Sequence, residues 1–240
     1  MSPAVTHAKS YPFPIPKNSY IVHGEGYREI EAGQPLPDLT GLTPVLACGS
    51  NQSPEQLTRK FDNLAAFPIP VLKSRIKDFD AVHSPHFSAY GSIPATLHYH
   101  PGVEATLFTT WLSDTQLACM HATEVAAENY HYVRLDGITL EIEGGEQLTS
   151  VHAYISSRGS LCHDGKPLAL EAVPATGRDW PEVSQNDVQT IARNRLSPEV
   201  DLETFIIQNV DSADTRRTRI NQLAEDALPF VWPGVRVIAV

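Results

Sequence analysis

The chain is short of cysteine, short of positive charge and without a long apolar run. Its three cysteines, Cys48, Cys119 and Cys162, make an odd count with no metal-ligand spacing. That usage argues against a cysteine metal site and fits reduced thiols in the cytosol. Lysine and arginine number 18 against 28 acidic residues, a net charge of −10. With no basic stripe to repay phosphate contacts, nucleic acid and anionic membrane are excluded as partners. Arg216, Arg217 and Arg219 do cluster, but beside Asp211, Asp214, Glu225 and Asp226, as on a solvated helix face. No apolar run approaches membrane-spanning length, and the first residues lack a basic segment followed by an apolar one. A cytoplasmic protein is expected. No internal repeat is evident.

What is present is enough for a core. An apolar fraction of 42% over 240 residues suits one large domain, or a core with additions. The 19 prolines gather near 12 to 16, 36 to 44, 68 to 70 and 174 to 181. They point to loops and short strands more than to a helical bundle.

One stretch organises the rest: Pro44-Val-Leu-Ala-Cys-Gly-Ser-Asn-Gln-Ser-Pro-Glu-Gln-Leu57. Pro44 to Cys48 is an apolar run of strand length. Gly49, Ser50 and Asn51 break it with turn chemistry. Ser53 has the place of an N-cap, Pro54 of a first helical residue, and Gln56 of the partner in a capping box. A buried strand thus ends in a tight loop of exposed N–H groups beside a helix start, a setting suited to a carboxylate or phosphate and equally to a plain capped connection.

Residues 1–43 form a proline-rich arm, with Tyr20-Ile-Val22 strand-like and the first ten residues partly disordered. Residues 62–72 are irregular, and 76–83 alternate as a half-buried strand. Ala95 to His100 and Glu104 to Trp111 form a hairpin around Pro101-Gly102. Residues 113–127 form a helix capped by Ser113 with Gln116 three later. Strands follow at Tyr132 to Leu135, Ile138 to Glu143 and Ser150 to Ser156. Helices follow at 183–195, 199–208 and 214–227, and Gly234 to Val240 is an apolar strand. Short strands interrupted by a few helices predict an α+β fold built on a small β-barrel. The expected division is an arm over 1–43, a core over 44–180 and a C-terminal helical extension with a final strand over 181–240.

Few residues carry chemistry. Glu124 stands seven after Leu117 and four after Met120, which places a carboxylate on the apolar helix face. Such a group is costly unless paired or functional, and burial raises its pKa toward general acid/base use. A small roll of the helix makes it a solvated rim residue instead, and Glu128 lies one turn on. His98 and His100 alternate along a strand and share a face, without a third metal ligand nearby. His83 and His86 offer no more. Cys48 has no histidine or acidic partner in its motif, and buried cysteines are usually inert. Ser50 sits in a sharp strand-to-helix turn but lacks the second glycine of a nucleophile elbow.

Taken together, the chain resembles the γ-glutamylcyclotransferase-like family. The resemblance is carried by Gly49-Ser50-Asn51 with Ser53-Pro-Glu-Gln-Leu57, Tyr90-Gly91, Pro94-Ala-Thr-Leu97 and Trp111-Leu112. It continues through Leu117, Met120 and Glu124, then Tyr130, Tyr154 and Gly165-Lys-Pro-Leu-Ala169, from about residue 44 to about 178. It implies a compact β-barrel flanked by helices and a reaction that cyclises a γ-glutamyl amide to 5-oxoproline, releasing the amine without a cofactor. Glu124 takes the place of the catalytic glutamate. Gly49, Ser50 and Asn51 take that of the carboxylate-holding loop, with Cys48, Tyr90, Gly91, Tyr130 and Tyr154 at the substrate. The expected partner is a small γ-glutamyl molecule; the oligomeric state stays open. One departure is plain: the family usually has an aromatic residue, most often tyrosine, where this chain has Cys48. That leaves open an enzyme acting on a different acylated amine, or a non-catalytic binding or regulatory protein of the same fold.

Overall fold

In the computed structural model, residues 2–24, 26–31, 33–64, 66–125 and 129–239 are described. In chain order the main elements are helix α1 (Pro3–Lys9), strands β1 (Tyr20–His23), β2 (Gly26–Glu29) and β3 (Thr43–Ala47), helix α2 (Pro54–Lys60), strands β4 (Ile69–His83) and β5 (Ala95–Leu112), helix α3 (Asp114–Glu124), strands β6 (Tyr130–Ile142) and β7 (Gln147–Ser156), and helices α4 (Gln185–Leu196), α5 (Leu202–Asp211) and α6 (Ala213–Ala224). A last strand, Val235–Ala239, pairs with β6.

Side chains two apart on a strand share a face, and five of these strands present an apolar one to a common interior. Strands β3, β5, β4, β6 and β7 pair antiparallel in that order. A parallel pairing of β7 with β3 closes the ring into a five-stranded barrel. Leu46, Leu72, Leu107, Val133, Val151 and Ala153 meet inside it. A second buried cluster holds α2 and α3 against the barrel through Leu57, Phe61, Phe108, Leu112 and Met120. A third joins α4, α5 and α6 to the loop residues Phe87 and Ile93 through Val188, Phe205 and Leu223. The fold class is therefore α+β, a mixed barrel flanked by helices.

Several local expectations are corrected. The expected hairpin around Pro101-Gly102 is one long bent strand, because both halves of β5 pair with the same partner, β4. The irregularity falls where Asp78 and Gly102 take positive φ (65° and 88°) and the Asp78 carboxylate accepts the Gly102 N–H at 2.7 Å. The two strands expected over 132–143 are likewise one, interrupted near Asp136 by a register shift. Ile69 and Pro70 belong to β4 and pair with Val22 and Ile21 rather than forming an irregular segment. The first residues fold as α1, whose Ser2 hydroxyl accepts the Val5 N–H at 3.3 Å. Arg219 does not lie on a solvated face. It is buried and donates to Asn209 Oδ1, Ser197 Oγ and Gln208 Oε1.

A buried ion pair fastens the segment after β7 to the barrel. Asp80 is fully buried on β4, and Arg178 grips both its oxygens at 2.7 and 2.8 Å while Trp180 Nε1 donates at 3.0 Å. Removing one partner of such a pair leaves a buried charge without compensation. Arg178→Met is expected to lower the unfolding free energy by about 3–5 kcal/mol, measured by urea denaturation. The exposed pair Arg217–Asp214 provides the contrast: Arg217→Met should change stability by about 1 kcal/mol or less.

Candidate active site

Strand β3 delivers the organising stretch to one end of the barrel. Cys48 is buried at its end, Gly49 turns the chain with φ −135° and ψ −134°, and Ser50–Gln52 form a short 3-10 turn before α2. The Ser53 hydroxyl makes no cap bond to α2 and is buried without a partner among the described residues, so the expected capping box is absent there. It does form on α3, where Ser113 and Gln116 exchange side-chain and backbone bonds.

Helices α2 and α3 both end at the site. Lys60 is the last residue of α2 and Glu124 the last of α3. Their side chains, 9% and 15% exposed, form an ion pair. Asn51 joins them: its Nδ2 donates to Glu124 Oε1 at 3.1 Å, and its Oδ1 accepts from Lys60 Nζ at 2.8 Å. Lys60 also donates to that same Oε1. Both bonds fall on one carboxylate oxygen; Oε2 receives no hydrogen bond among the described residues. Glu128, the other carboxylate suggested by the sequence, lies outside the described residues.

These groups line a cavity of about 480 Å³, within the usual range for small-molecule sites. The structure brings Cys48, Gly49, Ser50, Asn51, Tyr90, Glu124, Tyr130 and Tyr154 to its wall. Gly91 does not belong with them. At φ +87° it turns toward α5, and a Cβ there would stand 2.9 Å from Val210 Cγ2. Tyr130 Oη donates to the Ala95 carbonyl at 2.9 Å, and Tyr154 Oη bonds His121 Nδ1 at 2.9 Å. Burial raises both phenols, with the charge of Glu124 adding to the effect, so they stay protonated. Burial, then Glu124, pushes the Cys48 thiol up to about 12, which removes it as a nucleophile.

Sequence reasoning missed Tyr11, Arg59, Lys60, Asn129 and His86 at this wall. Lys60 had one usable signal, a cation ending the helix that the glycine loop begins. His86 bonds Ser84 Oγ at 2.8 Å, and Ser84 in turn donates to Ser156 Oγ at 2.8 Å. Burial, with nearby Arg158, lowers His86 to about 3, so it stays neutral. His98 and His100 share a face as their alternation requires. That face packs on Trp180, with ring centroids 5.8 and 4.8 Å away. Among the described residues no group of three or more side chains could hold a metal ion.

No protein-family profile matches the chain, and no curated protein matches it by sequence. Solved structures similar to it include one described as a gamma-glutamyl cyclotransferase, at 13% identity over 75% of this chain and 99% of that one, with a TM-score of 0.39. An uncharacterized protein from Homo sapiens is similar at 13% identity over 82% of this chain and 94% of that one, with a TM-score of 0.40. A protein from Arabidopsis thaliana is similar at 16% identity over 50% and 72%, with a TM-score of 0.36.

Proposed function

We propose that the protein cyclises a γ-glutamyl amide to 5-oxoproline and releases the amine, with Glu124 as the proton carrier. The observation that supports this most is the state of Glu124: one oxygen tied by Lys60 and Asn51, the other without a hydrogen bond among the described residues, on the wall of a substrate-sized cavity. The Lys60 ammonium supplies the countercharge of the ionised carboxylate, which is the form a base needs. The α-amino nitrogen of the substrate loses a proton to Oε2 and attacks the γ-carbonyl carbon. The carbon–nitrogen bond of the amide then breaks, and the proton passes to the departing amine. Attack within one molecule closes a five-membered ring, so a wall that holds the chain folded supplies much of the acceleration, on the order of several kcal/mol. The Gly49–Asn51 loop is the proposed seat of the α-carboxylate, with its backbone N–H groups as donors. No step calls for a metal or organic cofactor.

The same ion pair supports a second reading. A carboxylate held by a lysine also suits a site that binds a γ-glutamyl molecule without turning it over. Wild-type protein that binds 5-oxoproline but forms none from any γ-glutamyl amide selects this reading.

Glu124→Gln is expected to lower 5-oxoproline formation by about a hundredfold or more, with ligand affinity nearly unchanged, because shape remains and proton transfer is lost. Mass spectrometry of products from a panel of γ-glutamyl amides, glutathione included, measures it; full activity in the variant removes Glu124 from the mechanism. Ser50→Pro is expected to weaken binding of 5-oxoproline about tenfold by deleting a loop N–H. Calorimetry checks this, and unchanged affinity argues against the loop as a carboxylate seat.

A further inference from the structure

Tyr11 reaches the cavity from the N-terminal arm, not from the barrel. Its side chain belongs to the same buried cluster as Leu46, Cys48 and Ala95 and is 5% exposed. The phenol oxygen accepts the Ala95 N–H at 2.7 Å. A Cβ on Gly49 would stand 2.0 Å from that oxygen. Glycine at 49 is therefore what lets the hydroxyl come this close to the loop.

The Ala95 N–H occupies the acceptor side of the phenol. Its own proton has no acceptor among the described residues, although Tyr11 lines the cavity. A buried donor left unmatched is costly, and a ligand acceptor in the cavity would satisfy it. Donation into the oxygen by that amide also strengthens its O–H as a donor. Burial, and then the neighbouring Cys48 and Tyr90, raise the phenol well above its ordinary value, so it keeps the proton it would donate.

The arm is firmly seated. Val5 and Ala8 of α1 are fully buried against Ile206 of α5. The rings of His7 and Phe13 stand 4.7 and 6.2 Å from that of Tyr90, and the Arg59 guanidinium lies 5.0 Å over Phe13.

We propose that Tyr11 is a ligand-binding residue delivered to the barrel site by the arm, its hydroxyl donating to an anionic oxygen of the ligand. Only the ligand's identity rests on the γ-glutamyl reading, in which that oxygen belongs to the α-carboxylate. The ring and hydroxyl that Cys48 lacks at the loop are supplied from residue 11, far away in sequence.

The test titrates 5-oxoproline, L-glutamate and acetate into wild-type protein and Tyr11→Phe by calorimetry, and assays both for 5-oxoproline formation. Wild type is expected to bind 5-oxoproline, and Tyr11→Phe to bind it about ten- to a hundredfold more weakly. KM should rise more than kcat falls. Should Tyr11→Phe fold poorly, a protein with 3-fluorotyrosine at position 11 alone decides: its fluorine resonance should move as the carboxylate site fills. Equal affinity in Tyr11→Phe, or a resonance unmoved at saturation, overturns the role of Tyr11 alone. Tyr11-dependent binding of glutamate or acetate, without turnover of any γ-glutamyl amide, sustains Tyr11 and overturns the proposed reaction. Wild-type protein that binds none of the three carboxylates overturns both.

Discussion

A carboxylate at the C-terminal end of a helix faces the negative pole of that helix, and a carboxylate near the core also loses water. Glu124 suffers both, at the last residue of α3 and 15% exposed. Lys60 resolves the conflict. As the last residue of α2 it is welcome at the negative pole of its own helix, and it sits where it can neutralise Glu124. Asn51 bonds both partners and so ties the glycine loop to the two helix ends. The chemistry of the cavity depends on this three-residue tie. It holds a charged carboxylate in place while, among the described residues, only one of its oxygens is bonded.

The barrel serves that tie in a simple way. Parallel pairing of β7 with β3 sets the C-terminal end of both strands at one mouth of the ring. The loop after β3 and Tyr154 of β7 therefore meet there. Tyr130, which opens β6 and pairs with Ser156, joins from the antiparallel neighbour. Helices α2 and α3 then need only pack on the outside of the barrel to bring their ends to the same place.

How far this was legible in the sequence depends on the range of the interaction. The strand, glycine loop and helix of 44–60 were legible because each is signalled within a few residues, and Glu124 because it breaks an apolar helix face. Pro101-Gly102 misled because a kink in a long strand uses the same residues as a tight turn, and only the shared partner β4 tells them apart. The Ser53 capping box failed because the Ser53 hydroxyl is buried away from the helix N–H groups. Gly91 misled because a positive-φ glycine marks a close approach of the backbone without saying to what; here it is α5. Lys60 and Tyr11 were the hardest. Nothing local in a chain announces that residue 60 will meet residue 124, or that residue 11 will meet residues 49 and 95.

The seating of α1 on α5 has a consequence for how the molecule is made. Residue 11 leaves the ribosome long before residue 206, yet the buried contact of Val5 and Ala8 is with Ile206. A nascent chain that has already closed its barrel still lacks the surface on which its first helix rests. The cavity wall is thus completed by residue 11 only after Ile206 has emerged. Ligand affinity would then require synthesis through α5, and a chain cut short before α5 would carry Glu124, Lys60 and the loop without a settled Tyr11.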